Sequence, residues 1–171
     1  EEMFHEIRGS KISMIFQDPM SSLNPIQTVG KQISEALIFK MGMTKEMAKR
    51  KAIELMEQVG IPNAEKRYNQ YPFQFSGGLR QRIVIYIALA NNAEVIICDE
   101  PTTALDVTIQ GQILELLDRL KAERNLSVIF ITHDLGVVAN VANRIAVMYA
   151  GKIVEIGTAE EIFYDPKHPY T

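Results

Sequence analysis

The segment from Val95 to Asp106 constrains the fold more than any other part of the chain. It begins with four apolar residues, Val-Ile-Ile-Cys, and these are followed directly by Asp99, Glu100 and Pro101. A short apolar run that ends in a turn is typical of a strand buried on both faces of a parallel sheet, and proline cannot continue a central ladder. The two acids are therefore predicted to lie at the carboxyl end of the strand, where open α/β sheets bind their ligands.

Asp99 and Glu100 are candidates for metal and water chemistry. Neighbouring residues of a strand point to opposite faces, so the two carboxylates are expected to have different tasks. Carboxylate oxygens suit Mg²⁺, and a carboxylate can also polarise an attacking water. We assign the metal to Asp99 and the water to Glu100. The plainer alternative is a strand that ends in a solvated acidic turn, and this segment alone does not separate the two.

The composition predicts one globular domain with its own core. The 171 residues are 47% hydrophobic and 23% charged, which is typical of a folded domain of this length. The formal charge of -3 provides no basic surface for nucleic acid. No apolar run reaches the roughly 18 residues that a membrane-spanning helix needs. Cys98 is the single cysteine, so a disulfide framework is excluded and a buried, inert thiol is expected.

Ser76 predicts the start of a helix that runs from Gly77 to about Asn91. Serine is a good N-cap, and the glycines at 77 and 78 leave the first turn bare of side chains. A phosphate could then approach the exposed backbone N–H groups and the positive end of the helix dipole. An ordinary serine–glycine cap is the alternative.

Hydrophobic periodicity and capping residues predict the remaining elements. Helices are predicted over 29–41, 44–59, 64–70, 108–123 and 134–143. Strands are predicted over 11–16, 127–132, 144–149 and 152–156. A last short helix, capped by Thr158, is predicted to stop before Pro166.

Four motifs follow one another in a fixed order along the chain. Ile15 begins Ile-Phe-Gln-Asp-Pro, Phe75 begins Phe-Ser-Gly-Gly-Leu-Arg-Gln-Arg, Asp106 closes the acidic segment, and Ile131 begins Ile-Thr-His-Asp. This order resembles the ATP-binding-cassette (ABC) ATPases, and the residues are most similar to the subunits that power oligopeptide and dipeptide importers. The closing His-Pro-Tyr-Thr of residues 168–171 is similar to that subfamily as well.

The resemblance implies a role for each motif. Glu100 would orient or activate water, and His133 would be the switch histidine that meets the γ-phosphate. ATP and Mg²⁺ are the implied cofactors, and Asp99 and Gln17 would hold the metal. The residues implied in nucleotide binding are Gln17, Ser76, Gly77, Gly78 and Asp106, of which the serine and glycines would complete the site of a partner protomer.

The resemblance also implies a fold. The class would be α/β, with a P-loop NTPase-like ABC ATPase core, a partial and mostly parallel sheet, and an inserted helical subdomain. Residues 1–171 would form a partial ABC ATPase domain. Within it, residues 26–75 would be the helical subdomain and residues 76–171 the part of the core that carries the signature, Walker B and switch motifs.

The phosphate-binding loop of this family, Gly-x-x-x-x-Gly-Lys-Ser/Thr, has no match in the sequence. The Gly-Lys pairs at 30–31 and 151–152 are followed by glutamine and isoleucine. The resemblance therefore implies truncation at both ends, and we expect this chain alone to bind Mg-ATP poorly and to hydrolyse it negligibly. It also implies that a family strand is missing between the strands at 127–132 and 144–149, which would leave unpaired edges.

The leading hypothesis is an ATP-binding and ATP-hydrolysing subunit of an ABC importer for peptides, peripheral on the cytoplasmic face of the cell membrane. Its partners would be a second ATPase subunit, in a homo- or heterodimer, and integral membrane permease subunits contacted by the helical subdomain. No nucleic acid is expected. Two alternatives stay open. One is a chromosome-maintenance or DNA-repair ABC-type ATPase, although such proteins insert long coiled coils where residues 17–76 are short. The other is a non-catalytic interaction domain.

Overall fold

The structure is a computed structural model that describes residues 7, 9, 11–90, 93–103 and 105–171. The predicted end of the signature helix at Asn91 lies outside the described residues. The chain divides into two compact units, residues 1–131 and residues 132–171. The predicted boundary at residues 75 and 76 between a helical subdomain and the rest of the core stays a prediction.

The sheet of the first unit is parallel, as predicted. Its strands are β1 (Ile12–Ile15), β2 (Val95–Asp99) and β3 (Ser127–Ile131), in the order β1-β2-β3. In the ladders, Ile15 is the partner of Cys98 and Asp99 is the partner of Ile131. The carboxyl ends of all three strands therefore lie at one edge of the sheet, with the Asp99 end in the centre.

Six helices belong to the first unit in the described part of the chain: α1 (Pro19–Ser22), α2 (Val29–Met41), α3 (Lys45–Gln58), α4 (Ala64–Arg67), α5 (Gly77–Leu89) and α6 (Val107–Arg124). A 3₁₀ turn covers Pro72–Gln74. The longer helices end within about two residues of their predicted bounds. The single turns at α1 and Pro72–Gln74 were not predicted, since one turn is too short to show a period.

Side-chain caps begin three of these helices. The hydroxyl of Thr44 accepts a hydrogen bond from the N–H of Met47 at 3.3 Å, and the hydroxyl of Ser76 accepts one from the N–H of Leu79 at 3.4 Å. Asp106 caps α6 in the same way. Each cap satisfies a backbone donor that a first helical turn leaves unpaired. The predicted N-cap role of Ser76 is confirmed.

The core of the first unit lies on one face of the sheet. Ile15, Ile96 and Cys98 are buried there in an apolar cluster with residues of α2, α3, α5 and α6. On the other face, Ile129 and Ile131 are 52% and 47% exposed. The expectation of strands buried on both faces is therefore wrong for the described residues. The helices pack on one side, and alternate side chains of each strand point to the other.

A close contact fixes the start of α2. A Cβ added at Gly30 would lie 2.2 Å from the ring of Tyr68, so only glycine allows this approach. The hydroxyl groups of Tyr68 and Ser34 lie 2.8 Å apart and form a hydrogen bond. These contacts join α2 to the residue that follows α4, and they make residues 29–68 one compact helical section.

The second unit contains α7 (Leu135–Val141), β4 (Arg144–Tyr149), β5 (Lys152–Thr158) and α8 (Ala159–Tyr164). The two strands form an antiparallel hairpin. Its turn residues Ala150 and Gly151 have φ of 47° and 75°, the left-handed values that a tight two-residue hairpin turn requires. The prediction for 144–149 is confirmed, and β5 runs two residues further than predicted.

The predicted missing strand stays a prediction. In the described residues β3 forms its ladder with β2, and β4 forms its ladder with β5. These ladders satisfy the backbone hydrogen-bonding groups along one edge of β3 and along one edge of β4.

Candidate active site

Glu100 forms a rigid turn at the end of β2. Its φ is 45°, a left-handed conformation that is uncommon for any residue other than glycine. Its N–H donates to the carbonyl of Ile131 at 2.9 Å, and its carbonyl accepts from the N–H of Thr103 at 3.2 Å. The main chain is therefore fixed on both sides. A non-glycine residue held in this region often marks a functional site.

The carboxylate of Glu100 is fixed as well. Oε2 accepts a hydrogen bond from Gln17 Nε2 at 2.9 Å and another from the hydroxyl of Thr103 at 2.9 Å. Gln17 follows β1, so neighbouring strand ends bring the two predicted site residues together although they are 83 positions apart in sequence. Sequence reasoning missed Thr103. The spacing of three residues from Glu100, within a turn that follows a strand, is the signal that could have indicated it.

Asp99 lies beside this pair and is half-buried. The described residues contain no group of three or more histidine, cysteine, aspartate or glutamate side chains that could cage a metal. Mg²⁺ does not need such a cage, because it is usually held by one or two carboxylates together with substrate phosphates and waters. The Asp99 carboxylate and the Gln17 amide, on adjacent strand ends, fit that limited set of oxygen ligands.

The signature segment lies against the start of α6. A Cβ on Gly78 would be 2.5 Å from Cγ2 of Ile109, whereas one on Gly77 would be 3.6 Å from Leu105, an ordinary contact. Asp106 lies next to these two contact residues: it follows Leu105 in sequence, and its Oδ1 caps α6 by accepting from the N–H of Ile109 at 3.0 Å. The structure thus brings Ser76–Gly78 and Asp106 into one cluster. Packing alone explains the glycine at 78, while the predicted contact with phosphate stays a prediction.

His133 belongs to the second compact unit. The neighbouring Asp134 caps α7, with Oδ1 accepting from the N–H of Gly136 at 2.8 Å, and its own N–H donates to the hydroxyl of Thr132 at 3.0 Å. These local bonds set the backbone around the histidine. Its predicted meeting with a γ-phosphate stays a prediction.

Cys98 takes no part in this chemistry. Its side chain is completely buried in β2, and burial raises the pKa of the thiol to about 12. A thiol that does not ionise near neutral pH is a poor nucleophile and a poor metal ligand. The expectation of a buried, inert cysteine is confirmed.

Among the described residues, no helix has the length and apolar character needed to cross a membrane.

Comparison with known proteins identifies the family. A model of the ABC transporter family matches residues 2–103. The chain belongs to the ABC transporter family. Among solved structures, a dimeric ATP-binding cassette bound to ADP and Pi is 32% identical, with a TM-score of 0.80 over 93% of this chain and 67% of that one. The α/β class and the ABC ATPase core are therefore confirmed.

Curated relatives of this ABC chain include ATP-binding proteins of peptide transport. It is 64% identical over 171 residues to the oligopeptide transport ATP-binding protein OppD of Bacillus subtilis, covering 100% of this chain and 48% of that protein. It is 62% identical to AmiE, an oligopeptide transport ATP-binding protein of Streptococcus pneumoniae, over 168 residues, 98% of this chain and 47% of AmiE. The chain thus spans about half the length of the curated relatives it matches. The predicted resemblance to the peptide-importer subfamily is confirmed.

Proposed function

We propose that this chain is part of the ATP-binding and ATP-hydrolysing subunit of an ABC importer for peptides. The observation that carries the proposal is the hydrogen bond from Gln17 to Glu100 at 2.9 Å. It joins two polar side chains from neighbouring strand ends, beside Asp99, at the edge where α/β sheets bind ligands. The identity of more than 60% with two peptide transport ATP-binding proteins supports the importer assignment.

In this proposal Asp99 and Glu100 have different roles. Asp99 and Gln17 would hold Mg²⁺, which when bound neutralises charge on the nucleotide phosphates. Glu100 would orient the attacking water and accept its proton on the carboxylate. His133 would donate to the γ-phosphate. The turn that fixes the Glu100 backbone limits the positions its carboxylate can reach, which favours a single orientation of the water.

The nucleotide would lie between two protomers. Ser76 is exposed and begins a helix of 13 residues, so the first N–H groups of α5 are suited to a phosphate held by the partner protomer. Ser76, Gly77, Gly78 and Asp106 would contribute to the partner's site from one cluster. The dimeric state of the solved ATP-binding cassette supports this arrangement.

The helical section would contact the membrane subunits. It exposes large apolar side chains, among them Phe39 of α2, which is 82% exposed, and Met47 of α3. Exposed apolar residues of this size are typical of surfaces that bind another protein. The subunit would then be peripheral on the cytoplasmic face of the membrane. The compact helices of residues 29–68 leave no long coiled coil in that range, which disfavours a chromosome-maintenance or DNA-repair ATPase.

The division between the acids can be tested in a full-length subunit that carries this sequence. Glu100→Gln is expected to keep ATP binding and to lower kcat by about 10²–10⁴-fold, because the amide retains the shape and loses the base. Asp99→Asn is expected to weaken Mg²⁺-dependent nucleotide binding instead. Glu94→Gln, an exposed glutamate before β2, is the matched control. A normal hydrolysis rate in Glu100→Gln would contradict the proposal.

The transport assignment needs a separate measurement. The subunit, assembled with its permease in vesicles, should take up labelled oligopeptides only when ATP is supplied, and Glu100→Gln should abolish the uptake. Uptake of amino acids or sugars without uptake of peptides would show that the importer assignment is wrong while leaving the ATPase assignment intact.

A further inference from the structure

We propose that Thr103 is a positioning residue for Glu100, whose hydroxyl keeps the carboxylate in place when Gln17 turns to the metal. The inference rests on the proposed function, in which Glu100 activates the attacking water and Gln17 helps to hold Mg²⁺. Thr103 does not itself touch the reacting atoms in this scheme. It acts through the carboxylate.

The geometry of the turn places the hydroxyl. Thr103 is bonded twice to Glu100, once through its backbone N–H to the Glu100 carbonyl at 3.2 Å and once through Oγ1 to Oε2 at 2.9 Å. The first bond closes the turn and so sets the distance for the second. Threonine is β-branched and its first side-chain torsion is stiff, so little conformational freedom is lost when the hydroxyl bond forms. A hydroxyl bonded to an ionised carboxylate makes one of the stronger hydrogen bonds in proteins.

Gln17 and Thr103 both donate to Oε2 of Glu100, but only Gln17 is also expected to bind the metal. Gln17 comes from a different strand and is assigned to the metal and the γ-phosphate. Turning the amide so that its oxygen reaches the metal would also move Nε2 from the position where it now donates to Glu100 Oε2. Thr103 belongs to the same turn as Glu100 and has no such second task. It therefore keeps one hydrogen bond on the carboxylate throughout the cycle.

The neighbouring residue cannot take over this role. Thr102 is buried, whereas Thr103 is exposed and its hydroxyl donates to the Glu100 carboxylate. Thr103→Val and Thr103→Ser both keep the backbone N–H that closes the turn on the Glu100 carbonyl, so only the side-chain hydrogen bond is changed. Changes in rate can therefore be attributed to the lost hydrogen bond.

The test compares variants of the full-length subunit. Thr103→Val keeps the branched shape and removes the donor, so kcat for ATP should fall roughly 10-fold or more, with KM unchanged, because small misplacements of a catalytic group are costly in rate. Thr103→Ser keeps the donor and should restore most of kcat. Thr108→Val, at an exposed threonine in the first turn of α6, is the matched control and should leave both constants unchanged.

A double variant separates this inference from the proposed function. In a Glu100→Gln subunit, Thr103→Val should cause no comparable further loss, because two residues that act through one group are not additive. An unchanged kcat in Thr103→Val, no rescue by serine, or an equal loss in the Glu100→Gln background would each overturn the inference. A normal rate in Glu100→Gln alone would overturn the proposed function, and the inference with it.

Discussion

The two compact units of the chain are stabilised by different interactions. In the first, residues 1–131, a continuous apolar cluster joins the sheet to five helices, α2 to α6, and Ile15, Ile83 and Ile85 have no exposed surface. In the second, residues 132–171, the buried apolar side chains of the described residues are Val137 and Ile162. Burial of apolar area is the main favourable term in folding. The first unit therefore owes its stability to packing, and the second has to rely on other interactions.

Polar contacts supply much of the order in the second unit. The carboxylate of Glu155 accepts from the backbone N–H groups of Lys167 at 2.7 Å and His168 at 3.0 Å. The side chain of Glu161 accepts from the N–H of Thr158 at 2.7 Å, and the Thr158 hydroxyl accepts from the N–H of Glu161 in return. This reciprocal pair is a capping box. Because apolar packing stabilises the first unit and polar contacts order the second, the stability of the first should be sensitive to changes in side-chain volume. The stability of the second should be sensitive to changes in side-chain charge.

The largest effect is expected from a matched pair of core truncations. Ile83→Ala should destabilise the first unit by about 2–5 kcal/mol, because the residue is fully enclosed and leaves a cavity. Ile162→Ala should cost the second unit less, since its small core can collapse around the change. Amide hydrogen exchange of peptides from each unit measures the two separately. Equal losses of amide protection in the two variants would show that apolar packing stabilises the two units to the same extent.

A second pair of variants tests how closely the first unit is packed. Gly78→Ala should destabilise by about 1–3 kcal/mol, as overpacking does, because Ile109 is β-branched and lies 2.5 Å from the new Cβ. Gly77→Ala meets only an ordinary contact and should have little effect. Chemical denaturation measures both. Ile109→Ala combined with Gly78→Ala should recover part of the loss, and the absence of any recovery would place the strain elsewhere.

The smallest effect is expected from acid on the second unit. The N–H and then the hydroxyl of Thr158 hold the pKa of Glu161 below its usual value of 4.5. A carboxyl whose pKa is lowered by folding adds stability above its unfolded pKa, and that stability is lost as the pH falls through the folded pKa. NMR of the α8 amides from pH 6 to pH 3 should show this loss. Glu161→Gln should make the order of α8 depend less on pH. If the pH dependence stayed the same, the capping box could not be its cause.

Glu155 should behave in the same direction. The nearby Thr171 side chain, and then the hydrogen bonds from the N–H groups of Lys167 and His168, hold the pKa of its carboxyl below the usual value. The same NMR series would therefore show residues 167–171 losing order over an acid range. Glu160→Gln, at an exposed position next to the capping box, is the control that should leave the series unchanged.

Much of the local structure was predictable because its causes lie within a few residues. The caps at Thr44, Ser76 and Thr158 and the hairpin turn at Ala150 and Gly151 follow from side-chain chemistry and backbone sterics over one to four positions. The apolar runs predicted the parallel strands for a similar reason, since alternation and β-branching act locally. The order of motifs also predicted the family, which the comparisons confirmed.

Other features depended on which distant segments meet. The hydrogen bond from Gln17 to Glu100, the contact that requires glycine at position 78, and the exposure of one sheet face each involve elements far apart in sequence. The pattern of apolar residues shows that a strand has two apolar faces but not which face a helix will cover. The sequence by itself determined the elements and the residue types at the strand ends. Only the tertiary structure decided which side chains touch, because contact depends on the packing of whole elements and not on local preference.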